Sequence, residues 1–134
     1  MGSIFTKIIN REIKGYIVAE DSNHIAFLDI NPLKEGHTLV VPKKEEDYIL
    51  RIEDEEYKSL WLFAKKVGLG IEKVIKCERI GIVVIGLEVP HTHIHLIPIE
   101  DIGDIDFKRK KLKYSDDEFE AIANKIREAI DLTL

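Results

Sequence analysis

The stretch that decides the fold reads His91-Thr92-His93-Ile94-His95-Leu96-Ile97-Pro98. Alternate side chains of a β-strand point to one face, so the sequence predicts a strand over 92–97 whose three imidazoles stand about 7 Å apart on one surface. Imidazole acts near neutral pH as a nucleophile, acid, base or metal ligand. Three buried structural histidines would each need partners for both ring nitrogens. We therefore interpret the cluster as a functional site.

Further strands are predicted on both sides of this stretch. Two short ones, at about 16–19 and 24–29, flank the turn Asp21-Ser22-Asn23, which is typical of a hairpin, and a third follows Gly36 and ends at Pro42. The apolar run 79–85 predicts a buried strand that a turn over 86–90 joins to the histidine strand. Tight turns between strands favour a mainly antiparallel sheet.

Two long helices complete the predicted fold. Apolar residues recur at three- and four-residue steps over 52–76, after an acidic first turn that suits the positive end of a helix dipole. Ser115 and Glu118 have capping-box spacing and start a second helix. The segment 3–11 predicts a helical turn or two that packs four apolar side chains on the body: Ile4, Phe5, Ile8 and Ile9. The fold class is α+β, a five-stranded sheet with both long helices on one face.

Composition limits the function classes. A chain of 134 residues suits a single domain over 1–134. A formal net charge of −5 lacks the basic excess expected for general nucleic-acid binding. One cysteine, Cys77, excludes an intramolecular disulfide and a cysteine-only zinc cluster. Since no leader and no apolar run of membrane-spanning length is evident, we expect a cytoplasmic protein with neither a membrane nor a nucleic-acid partner.

The chain resembles the histidine triad (HIT) proteins, whose defining motif is His-x-His-x-His followed by apolar residues. The motif matches 91–97, and the resemblance continues upstream through 4–9, 26–32 and 36–43, so that it covers about residues 3–99. The Hint-like branch of this family consists of small nucleotide-binding hydrolases. The resemblance implies a homodimer whose five-stranded sheets join into one continuous sheet of ten strands.

The resemblance also implies a mechanism. His93 would attack the α-phosphorus of a purine nucleotide or nucleoside phosphoramidate, while its other nitrogen donates to a backbone carbonyl. Water would then hydrolyse the nucleotidyl-histidine, and His95 would assist the leaving group. No cofactor is implied. The implied catalytic residues are His93, His95 and His91, with His37 in support, and the implied nucleotide contacts are Asp29, Ile30, Phe5, Ile8, Phe27 and Glu88.

The sequence departs from the family at two places. Many members carry Cys-x-x-Cys near the N-terminus and bind a structural zinc, but the matching residues here are Ser3 and Thr6, and hydroxyls are not competent zinc ligands. The family usually has Gly-Gln-x-Val before the triad and an asparagine upstream, whereas this chain reads Gly86-Leu87-Glu88-Val89 with no amide nearby. We expect no metal and an altered leaving-group preference.

Several alternatives remain open at this point. A dinucleoside polyphosphate hydrolase of the Fhit type would use the same His93 nucleophile. The three histidines could instead ligate a metal, since His-x-His on a strand is a common metal-site spacing. The lost amides also allow a catalytically weak nucleotide-binding dimer. Other features have simple interpretations: Asp29 could serve only a turn, and we expect His24, which lies outside the motif, at the surface.

Overall fold

A five-stranded antiparallel sheet forms the centre of the protein. The computed structural model describes residues 2–133. The sheet order is β1-β2-β3-β5-β4, and every neighbouring pair is antiparallel. The strands are β1 (Ile17–Glu20), β2 (His24–Leu28), β3 (Thr38–Pro42), β4 (Arg79–Val83) and β5 (Ile94–Ile99). The predicted α+β class and strand number are thereby confirmed.

The helices cover the two faces of this sheet unequally. The long helices α2 (Asp54–Val74) and α3 (Asp116–Thr133) share one face, as predicted, and bury the larger core between themselves and the strands. Short α1 (Ile4–Ile9) packs on the opposite face, where Phe5 and Ile8 are buried. The prediction that Ile4 also packs inward was wrong: it is 48% exposed, because it occupies the outer side of this short helix.

The termini of the helices follow the sequence signals. Ser115 Oγ accepts from the Glu118 amide (3.1 Å) and Glu118 Oε1 accepts from the Ser115 amide (2.7 Å), which is the predicted capping box of α3. Ser3 caps α1 by accepting from the Thr6 amide at 3.1 Å. Two single turns of 3-10 helix lie at Ile49–Arg51 and Ile102–Asp104. Within residues 2–133, no helix has the length and apolar character that crossing a bilayer requires.

The apolar run 79–85 does contain a strand, β4, but the prediction that this strand is buried was wrong. Among residues 2–133, β4 pairs only with β5 and forms an edge of the sheet, so its side chains are partly or fully exposed, and Ile82 is 53% exposed. A groove of about 610 Å³ separates it from α2. A run of apolar residues does not distinguish a central strand from an apolar edge strand.

The histidine strand also begins later than predicted. β5 starts at Ile94, so His91 and His93 lie in the segment before it. Thr92 fixes this segment, because its amide and its hydroxyl both donate to the Glu46 carbonyl at 2.7 Å. The register of β5 with the neighbouring β3 therefore ends at the pair Val40–Ile94, so that His95 lies within it and His93 before it.

Candidate active site

His93 lies at the centre of the cluster and is 5% exposed. Its Nδ1 is 2.8 Å from the His91 carbonyl oxygen. A carbonyl only accepts, so Nδ1 carries the proton and Nε2 is left with its lone pair. The ring packs edge-on against Phe5 and His95, each at a centroid distance of 5.0 Å. In the neutral ring, this geometry fixes the tautomer whose lone pair lies on Nε2.

A second chain of hydrogen bonds fixes the proton of His95. The Leu33 amide donates to His37 Nδ1 at 3.0 Å, so the neutral His37 ring carries its proton on Nε2. That nitrogen is 2.9 Å from His95 Nδ1 and donates to it. His95 must then hold its own proton on Nε2. One backbone amide thus determines the tautomer of two rings and leaves His95 Nε2 as a donor.

Burial keeps both of these rings neutral. Desolvation lowers the pKa of His37 to about 3, with a smaller contribution from the Lys111 charge. Desolvation also lowers the pKa of His95 to about 3, assisted by His37 and His93 and opposed by Asp29. Near neutral pH, His95 therefore offers a hydrogen-bond donor without carrying a positive charge.

The two carboxylate oxygens of Asp29 have different surroundings. Its Oδ1 accepts from the Asn31 amide at 2.8 Å, which is the turn interaction that the sequence allowed. Its Oδ2 lies 3.5 Å from His37 Nε2 at the edge of the histidine cluster. The side chain is 18% exposed, so it remains accessible to a ligand. Asp29 therefore combines a local turn with a free acceptor beside the triad.

Among residues 2–133, one group could bring metal-ligating atoms together, namely Asp29, His37 and His95. The hydrogen-bonded tautomers oppose this use. His37 Nδ1 already accepts from the Leu33 amide, so binding a cation through Nε2 would require an imidazolate or loss of that hydrogen bond. His91 and His93 do not belong to the group. The geometry fits a proton-bearing pair better than a metal site.

His91 faces away from the other triad rings and anchors α1. Its Nε2 donates to the Pro42 carbonyl at 2.7 Å, so Nδ1 is an acceptor and receives the Ser3 hydroxyl at 2.7 Å. Glu45 Oε1 accepts from the Ser3 amide at 2.8 Å and from the Thr6 hydroxyl at 2.6 Å. The ring is fully buried, and desolvation lowers its pKa.

The residues around His91 show whether this chain could bind the structural zinc of the family. Ser3 and Thr6, which occupy the positions of the family's two cysteines, converge on His91 Nδ1 at 2.7 and 3.4 Å. However, hydroxyl groups are not the thiolates that zinc requires, and each of them already takes part in a hydrogen bond. The residues do not fit a structural zinc. Hydrogen bonds hold α1 in place instead.

The remaining predicted nucleotide contacts differ in how close they lie to the triad. Phe5 contacts His93 and also Phe27, whose ring centroid is 5.5 Å away, and Ile8 joins the same apolar cluster. Ile30 is 59% exposed beside Asp29. Glu88 is exposed on the turn before the triad and makes no hydrogen bond or ion pair with any residue in 2–133. The apolar residues thus gather on the His93 side.

Sequence reasoning missed Phe107. Its ring lies 4.9 Å from that of His95 and 6.3 Å from that of His37, on the side of the cluster away from Phe5. The residue stands in an irregular segment after β5 that the sequence did not connect to the site. Its only signal was a lone aromatic residue immediately before a run of basic residues.

The prediction that His24 lies at the surface was wrong. It is 5% exposed and stacks on Phe63 of α2 at a centroid distance of 5.0 Å. Its Nδ1 donates to Asp21 Oδ1 at 3.0 Å. His24 is buried because β2 and α2, which are distant in sequence, pack against each other. His24 lies outside the triad cluster.

Comparison with known proteins gives concordant matches. A HIT domain model matches residues 10–102. An uncharacterized HIT-like protein of Borreliella burgdorferi is 37% identical over 131 residues, covering 92% of this chain and 94% of that protein. Adenosine 5'-monophosphoramidase of Saccharomyces cerevisiae is 35% identical over 103 residues, covering 73% of this chain and 63% of that enzyme.

Solved structures agree with these sequence matches. The crystal structure of a hypothetical histidine triad nucleotide-binding protein from Sulfolobus tokodaii superposes with a TM-score of 0.82 at 33% identity. The match covers 96% of this chain and 92% of that one. The fold is therefore shared over nearly the whole length of both chains.

Proposed function

This chain belongs to the HIT domain family, and from that premise we propose that it is a nucleotide-binding hydrolase that works through a nucleotidyl-histidine on His93. The observation that carries the proposal is the hydrogen bond from His93 Nδ1 to the His91 carbonyl at 2.8 Å. In the neutral ring this bond places the proton on Nδ1 and leaves Nε2 with its lone pair, which is the tautomer that a nucleophilic imidazole requires.

In the first step His93 Nε2 attacks the α-phosphorus. A phosphorus–nitrogen bond forms, the bond from phosphorus to the leaving group breaks, and the electron pair departs with that group. His95 Nε2–H donates to the leaving atom and passes its proton to that atom when it is an amine nitrogen, and His37 holds the donor in place from behind. Donors fixed in advance at such a position are among the largest contributions to catalysis.

In the second step a water molecule attacks the same phosphorus. The phosphorus–nitrogen bond breaks, its electron pair returns to His93 Nε2, and the nucleoside monophosphate leaves while one water proton replaces the proton that His95 Nε2 gave to the amine. The retained hydrogen bond from Nδ1 keeps the ring in one orientation through both steps. The enzyme thus returns to its starting tautomer.

The nucleotide is placed by groups on either side of His93. Asp29 Oδ2 accepts from the ribose hydroxyls, and the apolar side chains cover a purine: Phe5, Ile8, Phe27 and Ile30. Phe5 supports this assignment because its ring contacts both His93 and Phe27. The finer substrate assignment is a nucleoside phosphoramidate, supported by the similarity to the yeast adenosine 5'-monophosphoramidase.

Covalent trapping tests the mechanism. A reaction with an α-labelled adenosine phosphoramidate, stopped during turnover, should leave label on His93 that survives mild base and is released by acid. His93→Gly should abolish the label and reduce kcat by several orders of magnitude, since it removes the nucleophile. His24→Gln is the matched control, because His24 is buried at a distance from the triad cluster and should not affect labelling.

Two outcomes would contradict the proposal. Label on a residue other than His93 would reassign the nucleophile. Near-normal turnover by a folded His93→Gly protein would remove covalent catalysis altogether. Circular dichroism and thermal unfolding of each variant separate these results from simple loss of structure.

A further inference from the structure

A partly buried aromatic ring, Phe107, covers the part of the histidine cluster that lies away from Phe5. Its ring centroid is 4.9 Å from that of His95, with an angle of 69° between the two planes, and 6.3 Å from that of His37. Aromatic rings in edge-to-face contact prefer a defined geometry. The contact with Phe107 therefore restricts how the His95 ring can turn.

The two covered rings hold the proton that an amine leaving group receives. His37 Nε2–H donates to His95 Nδ1 at 2.9 Å, and this bond leaves His95 Nε2 as the donor. His37 is 1% exposed and His95 is 7% exposed. A water molecule that reached the bond between them would compete for both nitrogens and weaken it. Phe107 lies where it excludes such water.

Contacts on both sides of Phe107 fix the segment that carries it. Before it, the buried Asp104 carboxylate lies 3.7 Å from Lys34 Nζ. After it, the Leu112 amide donates to the Pro32 carbonyl at 2.9 Å. Both partners belong to the loop that joins β2 to β3. Since the segment is attached to this loop before and after Phe107, the ring is held against the cluster.

We propose that Phe107 positions His95 for departure of the leaving group, by holding its ring and by keeping water from the hydrogen bond that His37 donates. The inference rests on the proposed function and adds a positioning residue to it. Phe107 has no atom that can give or accept a proton, so it acts only through His95. When His93 Nε2 bonds to the α-phosphorus and the bond to the amine breaks, the His95 proton must already point at the leaving nitrogen.

The first test compares two substrates that differ in their need for this proton. The amine of AMP-lysine must gain a proton to depart, whereas the p-nitrophenyl ester of AMP releases a stable anion. Phe107→Ala should therefore reduce kcat/KM for AMP-lysine about 10–100-fold, mostly through kcat, and should change the value for the ester by about twofold at most. Phe107→Tyr keeps the ring and should restore the wild-type ratio of the two substrates.

Two further variants show whether the effect passes through His95. His95→Ala should lose the same activity on AMP-lysine, and adding Phe107→Ala to it should cause no further loss, because residues that act as a unit are not additive. Phe63→Ala is the matched control. Phe63 is also a partly buried phenylalanine that packs on a histidine, at a centroid distance of 5.0 Å from His24 outside the cluster. This control should leave the substrate ratio unchanged.

A measurement on the resting protein separates failure of this inference from failure of the nucleophile assignment. In NMR spectra of protein with isotope-labelled histidine, the His37 Nε2 proton should exchange slowly with water, and Phe107→Ala should accelerate its exchange about tenfold or more. The same result is expected if His93 proves not to be the nucleophile.

Two outcomes would overturn the positioning role. One is unchanged proton exchange in folded Phe107→Ala, and the other is an equal loss of activity with both substrates. If Phe107→Ala does not fold, as judged by circular dichroism, Phe107→Leu takes its place. It keeps apolar volume without the ring, so its changes should be smaller and in the same direction.

Discussion

The paired rings of His37 and His95 make the stability of the protein depend on pH in a calculable way. Both have a native pKa of about 3, against about 6.5 for an unfolded histidine. Between these values the unfolded chain binds protons that the native protein excludes. Their contribution to stability is complete above about pH 6.5 and is lost as the pH falls towards 3.

The size of the effect follows from the number of excluded protons. Each proton that the unfolded chain binds and the native protein excludes lowers the free energy of unfolding by about 1.4 kcal/mol per pH unit, so two excluded protons double this slope between about pH 6 and 4. His37→Gln removes one titrating ring and keeps an amide donor that can reach His95 Nδ1. The slope should therefore decrease by about 1.4 kcal/mol per pH unit.

Urea unfolding measures this slope. Trp61 is the only tryptophan and is partly buried against the core, so its fluorescence reports the transition. Wild type and His37→Gln are unfolded at half-unit steps from pH 6.5 to 4.5, and equal m-values verify that the same transition is compared. Carboxylates titrate in both proteins, and their contributions cancel in the difference. Equal slopes for the two proteins would refute the assignment of a neutral, desolvated His37.

Two further predictions concern the ligand and the assembly. Asp29→Ala should weaken AMP binding by about 1–3 kcal/mol, because the ribose hydroxyls lose a part-buried acceptor. Unchanged affinity in calorimetry would show that Asp29 serves only the local turn. We also expect a symmetric, zinc-free dimer in which exposed Ile82 on the β4 edge lies at the interface. Light scattering should give a dimer mass for the wild type and a monomer mass for Ile82→Glu. A wild-type monomer, or one zinc per chain in elemental analysis, would contradict the prediction of a zinc-free dimer.

Much of the fold could be predicted because its signals are local. The capping box at Ser115, the apolar periodicity of α2 and the hairpin turn before His24 each depend on neighbouring residues, and each predicted element is present. The fold class and the grouping of both long helices on one face follow from the order of these elements.

The errors come from contacts between distant parts of the chain. The position of β4 at a sheet edge and the stacking of His24 on Phe63 depend on which elements meet, and no local pattern records that. Phe107 reaches His95 through an irregular segment without periodicity. The start of β5 depends on the Glu46 carbonyl, which is distant in sequence and accepts hydrogen bonds from Thr92.

The bond between Ser3 and His91 joins residues 88 positions apart. Contacts of such large sequence separation form slowly, since a long loop must close before they contribute any stability. During synthesis, α1 emerges long before His91, the residue that Ser3 binds. The apolar cluster around Phe5 and the His93 ring that it contacts are therefore completed together, late in synthesis.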